Sequence, residues 1–192
     1  MIRQAIALNS NKEDEIVNAP EESFDAVSVA ELPPIARFNL RIASADLAVA
    51  SEAFGLNLPS VIGQGTQNAD RAAYCIGPDE WLLHGSEASQ QVIVAAFDMV
   101  RAKTPHSLVV ISDRELTISI TGPASIELLS TGCPLDLSRI PIGGAKRTIF
   151  HDTQVILIRD REDAFRLEVW RSYLPHVRGL LDIATSELST GL

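Results

Sequence analysis

Cys133 has the best claim of any side chain here to nucleophilic chemistry, standing in Thr131-Gly132-Cys133-Pro134-Leu135-Asp136 just past a helical stretch. Covalent catalysis by a thiol needs a neighbouring base and a stabilised thiolate. A helix C-terminus carries partial negative charge and opposes that thiolate, so Cys133 reads as structural. Cys75 alternates within a strand and belongs to the core. The four histidines, His84, His106, His151 and His176, include no pair at i, i+2 or i, i+4, so no local metal pair forms. His151-Asp152 has the composition of half a dyad, but it falls at a tight turn between strands, where polar residues are expected. Gly63-Gln64-Gly65 and Gly143-Gly144 are the glycine-rich spots, and neither follows a strand and opens a helix as a phosphate loop requires. Both read as turns. Asp79-Glu80 and the Asn11–Glu15 run (NKEDE) group carboxylates that read as a solvated rim. The sequence therefore assigns no catalytic, cofactor-binding or metal-ligating residue to this chain.

The elements around these residues follow from hydrophobic period. Phe38, Leu40 and Ile42 alternate with Asn39 and Arg41, which predicts a half-buried strand. Asp46 is expected to cap a short helix through Phe54, stopped by Gly55. Residues 56–70 read as an irregular excursion. Strands follow at Ala72–Ile76 and Glu80–His84, joined at Gly77-Pro78, and then a helix over Glu87–Ala102 with Ile93, Ala96, Phe97 and Val100 on one stripe. The second half repeats the theme. A strand carrying Leu116, Ile118 and Ile120 leads through Gly122-Pro123 into a helix ended by Gly132. Strands Lys146–Phe150, Val155–Arg159 and Phe165–Trp170 come next. A final helix, with Ser172 as its expected cap and Pro175 in its first turn, shows Leu174, Val177, Leu181, Ala184 and Leu188 at steps of three and four.

Adjacent strand pairs, each backed by a helix, predict an α+β fold of pseudo-duplicated antiparallel sheets with helices packed on one side. Residues 1–36 read as an extended N-terminal arm, with Ala19–Ser23 (APEES) turn-like and Pro33-Pro34 barring regular structure. Residues 37–188 read as a single unit of two lobes, about 37–112 and 113–188. In the arm Phe24, Val27, Val29 and Leu32 give a partner something apolar to cover. Trp170 lies across its strand from Phe165, Leu167 and Val169, which suits either an exposed aromatic anchor or packing against a helix on the other face of the sheet.

Composition narrows the partners. A hydrophobic fraction of 46% with 21% charged residues suits a folded domain rather than a disordered one. The net charge of −9, with no basic cluster, opposes binding to a phosphate backbone, so no nucleic acid is expected. Two cysteines far apart frame neither a disulfide set nor a zinc site. No apolar run approaches the roughly 18 residues of a spanning helix, and the first residues do not resemble a signal peptide. A cytoplasmic location with reduced thiols is expected.

Three segments in register carry a family resemblance. Cys75-Ile76-Gly77-Pro78-Asp79-Glu80-Trp81-Leu82-Leu83 resembles the "LGPDEWLL" signature of sarcosine oxidase gamma subunits. Asp113–Leu137 (DRELTISITGPASIELLSTGCPLDL) is similar to that family's second block, and Arg147-Thr148 with Trp170-Arg171-Ser172-Tyr173 resembles its closing block. The match runs from Arg37 to Ile183. It implies a non-catalytic gamma subunit of heterotetrameric sarcosine oxidase, which associates with alpha, beta and delta subunits in the oxidative demethylation of sarcosine and one-carbon metabolism. FAD, FMN, NAD and tetrahydrofolate are then expected in those partners and none in this chain. The implied fold is aminomethyltransferase-like, similar to the folate-binding domains of glycine-cleavage aminomethyltransferases. Phe24, Leu32, Trp170 and Arg171 are the expected partner-interface residues. Two other readings stay open: a stand-alone folate-binding protein of the aminomethyltransferase superfamily, and an unrelated small-molecule domain whose 56–70 loop closes over a ligand. The iron–sulfur assembly branch of that superfamily has a Gly-Cys-Tyr core, whereas Gly132-Cys133 here is followed by Pro134-Leu135-Asp136.

Overall fold

Alternation along the strands places one apolar face of each sheet against a pair of helices. The computed structural model describes residues 26–190. Phe24, the NKEDE run and the APEES turn lie outside them. Among the described residues the strands are β1 (Ser28–Glu31), β2 (Ala36–Ile42), β3 (Gly65–Gln67), β4 (Arg71–Gly77), β5 (Glu80–Gly85), β6 (His106–Val110), β7 (Glu115–Thr121), β8 (Gly144–Phe150), β9 (Thr153–Arg161) and β10 (Ala164–Trp170). The helices are α1 (Leu47–Phe54), α2 (Gln90–Val100), α3 (Ser125–Ser130) and α4 (Leu174–Thr190). Two five-stranded antiparallel sheets form, in the orders β3-β4-β5-β2-β6 and β1-β7-β10-β9-β8.

Read from corresponding edges, these are the same sheet made twice, with β3-β4-β5-β2 matching β8-β9-β10-β7. The fifth strand comes from different places. β6 follows α2 and lies beside β2, whereas β1, from the start of the chain, lies beside β7 with Val29 opposite Ile120. Residues 28–31 of the expected arm are thus a strand of the C-terminal sheet, and Val27 is buried in its core.

Among the described residues, helices cover only the outer face of each sheet. Phe38, Leu40, Trp81 and Leu83 meet Phe54 of α1 and Ile93 and Phe97 of α2. Ile118, Ile120, Phe165, Leu167 and Val169 meet Leu128 and Leu129 of α3 and Val177, Leu181 and Ala184 of α4. The inner faces pack on each other through Tyr74, Ile76, Leu82, Ile111, Ala145, Ile156 and Ile158. The order of layers is therefore helix, sheet, sheet, helix.

Helix ends depart from the expected caps. Asp46 stands at the start of α1 but makes no side-chain capping bond, because a 3₁₀ turn over Ser44–Asp46 already closes the entry. Gly55 ends that helix in the left-handed region at φ 71°, its N–H donating to the carbonyls of Ser51 and Glu52. The Glu87–Ala102 prediction resolves into a 3₁₀ turn and the shorter α2. α4 begins at Leu174, after Ser172.

Candidate functional site

The polar sides of the alternating strands meet each other in the middle of the molecule. β2 contributes Arg37, Asn39 and Arg41; β5 contributes Glu80 and His84. From the opposite sheet come Thr117 of β7, Arg147 of β8, and Arg166 and Glu168 of β10. Burying such groups is tolerated only when each finds a partner.

Most do. Arg37 and Glu168 are both fully buried, and Arg37 Nε donates to Glu168 Oε2 at 2.7 Å. Arg37 also donates to the Thr117 hydroxyl, which donates in turn to Glu168 Oε1 at 2.7 Å. Nearby, Arg166 grips Asp160 through two bonds of 2.6 and 2.7 Å and donates to Tyr74 Oη at 2.9 Å. Burial pushes the Tyr74 phenol pKa up. His84 lies 3.6 Å from Glu168 Oε1, and among the described residues neither ring nitrogen is hydrogen-bonded. Burial, reinforced by the Arg166 and Arg37 charges, holds its pKa well below the usual imidazole range.

Glu80 accepts two bonds from Arg147, at 2.6 and 2.9 Å, and one from Asn39 at 2.7 Å. The Arg147 hydrogen bonds hold its carboxyl below the usual range. It is buried, so the expectation of a solvated Asp79-Glu80 rim fails at Glu80, whose partner arrives from the other half of the chain. Asp79 remains exposed and pairs with Arg41 at 2.8 Å.

At the margin of this layer a cleft of about 260 Å³ opens between Glu80, Arg147, Glu115, Val109, Gln154 and Trp170. Glu115 Oε1 accepts from Arg114 at 2.8 Å, and burial pushes the Glu115 carboxyl pKa up.

The two glycine spots read as separate turns also meet here. The Ala145 N–H donates to the Gly63 carbonyl at 3.1 Å, stitching the sheets together through backbone. A Cβ on Gly65 would strike the Gly143 carbonyl oxygen, and one on Gly144 would strike that of Gly63. Glycine is required for this close approach.

The remaining chemical candidates are not brought together. Cys133 is buried with Sγ 3.7 Å from Thr148 Oγ1, and Cys75 is buried with its thiol pKa raised by desolvation. The His151-Asp152 dyad does not form: Asp152 faces His176 Nε2 at 3.1 Å, while His151 occupies the turn at φ 51°. Among the described residues no group of three or more His, Cys, Asp or Glu side chains is placed to hold a metal.

Of the expected interface residues, Trp170 is 41% exposed and lines the cleft, with the Arg114 guanidinium 5.2 Å from its ring centre and Tyr173 beside it at 6.3 Å. Arg171 donates to the Asp113 carbonyl at 2.8 Å. Leu32 follows β1, its N–H on the Thr117 carbonyl at 2.9 Å. Sequence reasoning missed the pairs of the middle layer. Their one sequence signal was the density of charge on strands whose other side is apolar.

Two helix-backed antiparallel sheets packed face to face form an aminomethyltransferase-like fold. The structure is similar to the glycine cleavage system aminomethyltransferase T from Bartonella henselae, with a TM-score of 0.65 at 11% identity, covering 81% of this chain and 45% of that one. That likeness concerns the fold alone. Residues 41–187 match the sarcosine oxidase, gamma subunit family, and the chain belongs to that family. The sarcosine oxidase subunit gamma of Corynebacterium sp. (strain P-1) is 27% identical over 153 residues, 77% of this chain and 73% of that protein. A chain of the heterotetrameric sarcosine oxidase from Corynebacterium sp. U-96, solved in complex with pyrrole 2-carboxylate, matches with a TM-score of 0.77 at 26% identity, covering 86% of each chain.

Proposed function

We propose that this chain is the non-catalytic gamma subunit of a heterotetrameric sarcosine oxidase, supporting oxidative demethylation of sarcosine by association with flavin-bearing subunits. The observation that carries this is the match to a chain of such a heterotetramer over 86% of both chains. The geometry supports it: Arg37 with Glu168 and Arg147 with Glu80 are engaged in pairs that join the two sheets.

On this reading the partners are the alpha, beta and delta subunits. FAD, FMN, NAD and tetrahydrofolate are held by them, and the complex works in the cytoplasm in one-carbon metabolism. Among the described residues no helix is long and apolar enough to cross a membrane. The arm of residues 1–36 and the 37–188 unit, with lobes 37–112 and 113–188, divide the work. The arm contributes Phe24 and Leu32 to the partner surface, and the unit contributes Trp170 and Arg171. An obligate contact of this kind commonly buries more than about 2,000 Å².

Co-expression with the other candidate subunits tests the proposal. The expected product is a yellow complex several times heavier than this 20.8 kDa chain that oxidises sarcosine. A chain that stays colourless and alone beside its partners would overturn it.

A further inference from the structure

The carboxylates of the middle layer are not equally satisfied. Both oxygens of Glu80 and both of Glu168 accept hydrogen bonds. Glu115 is only 4% exposed, yet among the described residues its Oε2 has no partner while Oε1 takes the bond from Arg114. A buried acceptor left without a donor is costly, and such atoms in folded proteins call for an explanation. The unpartnered oxygen belongs to a residue lining the cleft. Arg147, the other cation there, is held bidentately by Glu80 and is not free to supply the missing bond.

Exposed apolar side chains stand among the charged ones that line the cleft: Val109, on the edge strand β6, is 49% exposed, and Trp170 is 41% exposed. A desolvated polar atom beside exposed aromatic and aliphatic side chains is the anatomy of an interface anchor site. A small-molecule site encloses most of its ligand, whereas this cleft is shallow enough to leave Trp170 and Val109 half in solvent. A second copy of the chain would bring another net charge of −9 against the first, which repulsion opposes.

Resting on the subunit reading above, we propose that this cleft receives a lysine or arginine side chain from a partner subunit. Its N–H donates to Glu115 Oε2, and its aliphatic stem lies against Trp170 and Val109. Oε2 lacks a donor among the described residues because that donor belongs to another chain.

The test measures binding of the lone chain to the co-expressed partner subunits, alongside its own thermal unfolding. Glu115→Gln is expected to weaken association by at least about tenfold, since it removes one side of a buried charge pair. Its melting temperature alone should equal or exceed the wild-type value, because a costly buried carboxylate is gone. Val109→Arg, at an exposed position, plugs the cleft with the chain's own cation and is expected to cause a similar loss. Wild-type affinity in both variants overturns this inference while leaving the subunit reading intact. A wild-type chain that does not bind the partners overturns both. A Glu115→Gln chain that melts early leaves the decision to Val109→Arg, which supports the inference by a tenfold loss and overturns it by binding normally. A lone-chain dimer broken by Val109→Arg assigns the cleft to a second copy and overturns it as well.

Discussion

Each sheet has two faces, and they are held by different physics. The outer seams, where α1 and α2 or α3 and α4 cover a sheet, are mainly apolar, built from residues such as Phe38, Phe97, Ile118 and Leu181. The middle seam mixes an apolar patch around Tyr74, Leu82 and Ile158 with ion pairs between residues from opposite halves of the chain. Apolar burial is non-directional and tolerates small changes of shape. A buried ion pair contributes little net stability, yet removing one partner is severe because the other charge is stranded. The outer seams therefore stabilise each half, and the middle seam specifies how the halves face one another.

The largest expected effect breaks the middle seam. Arg37→Met leaves Glu168 buried without its cation and should cost about 3–5 kcal/mol in urea unfolding. The double variant Arg37→Met/Glu168→Met should recover most of that loss. A double variant as unstable as the single one would mean the pair is a net source of stability and would dissolve the contrast between seams.

Acid comes next. Because the pKa of His84 is depressed in the folded state, the unfolded chain takes up its proton first, near the ordinary value of 6.5. The stability due to neutral His84 is present above that pH and is lost as pH falls below it. Denaturation midpoints measured from pH 7.5 to 5 should decline, and His84→Phe should flatten the decline. An unchanged slope would show that His84 is not what titrates.

In the outer seam Ile118→Val should cost only about 0.5–1.5 kcal/mol, with no change in association with partners. The smallest effect is expected at the surface. Asp98→Asn, breaking the exposed Arg101 pair, should stay within about 0.5 kcal/mol by thermal unfolding.

How much of this was legible follows from what a residue pattern encodes. Phe165, Leu167 and Val169 announce their buried face by period two, and the α4 stripe of Val177, Leu181 and Ala184 by steps of three and four. The same pattern is silent on the fate of the polar face. Asn39, Thr117, Arg166 and Glu168 would look identical whether they faced water or another sheet. Glu80 read as a rim residue because its neighbour Asp79 is one, and its partner Arg147 lies 67 residues away. The glycines at 63–65 and 143–144 each read as a turn, since close backbone approach depends on a second segment that no local window contains. The strand at 28–31 reads as part of an arm for the same reason: its pairing partner is β7.

By itself the sequence determined the α+β class, the repeated strand–helix pattern and the apolar face of each element, because these depend on local periodicity and short-range order, and it carried the family in the motifs it shares with relatives. Tertiary structure decided which polar groups are buried, that Glu115 keeps one oxygen without a donor, and that Trp170 stands at the mouth of a cleft. Those outcomes depend on which inner-face residues meet when one sheet closes on the other, and complementarity between two distant surfaces leaves no mark on either read alone.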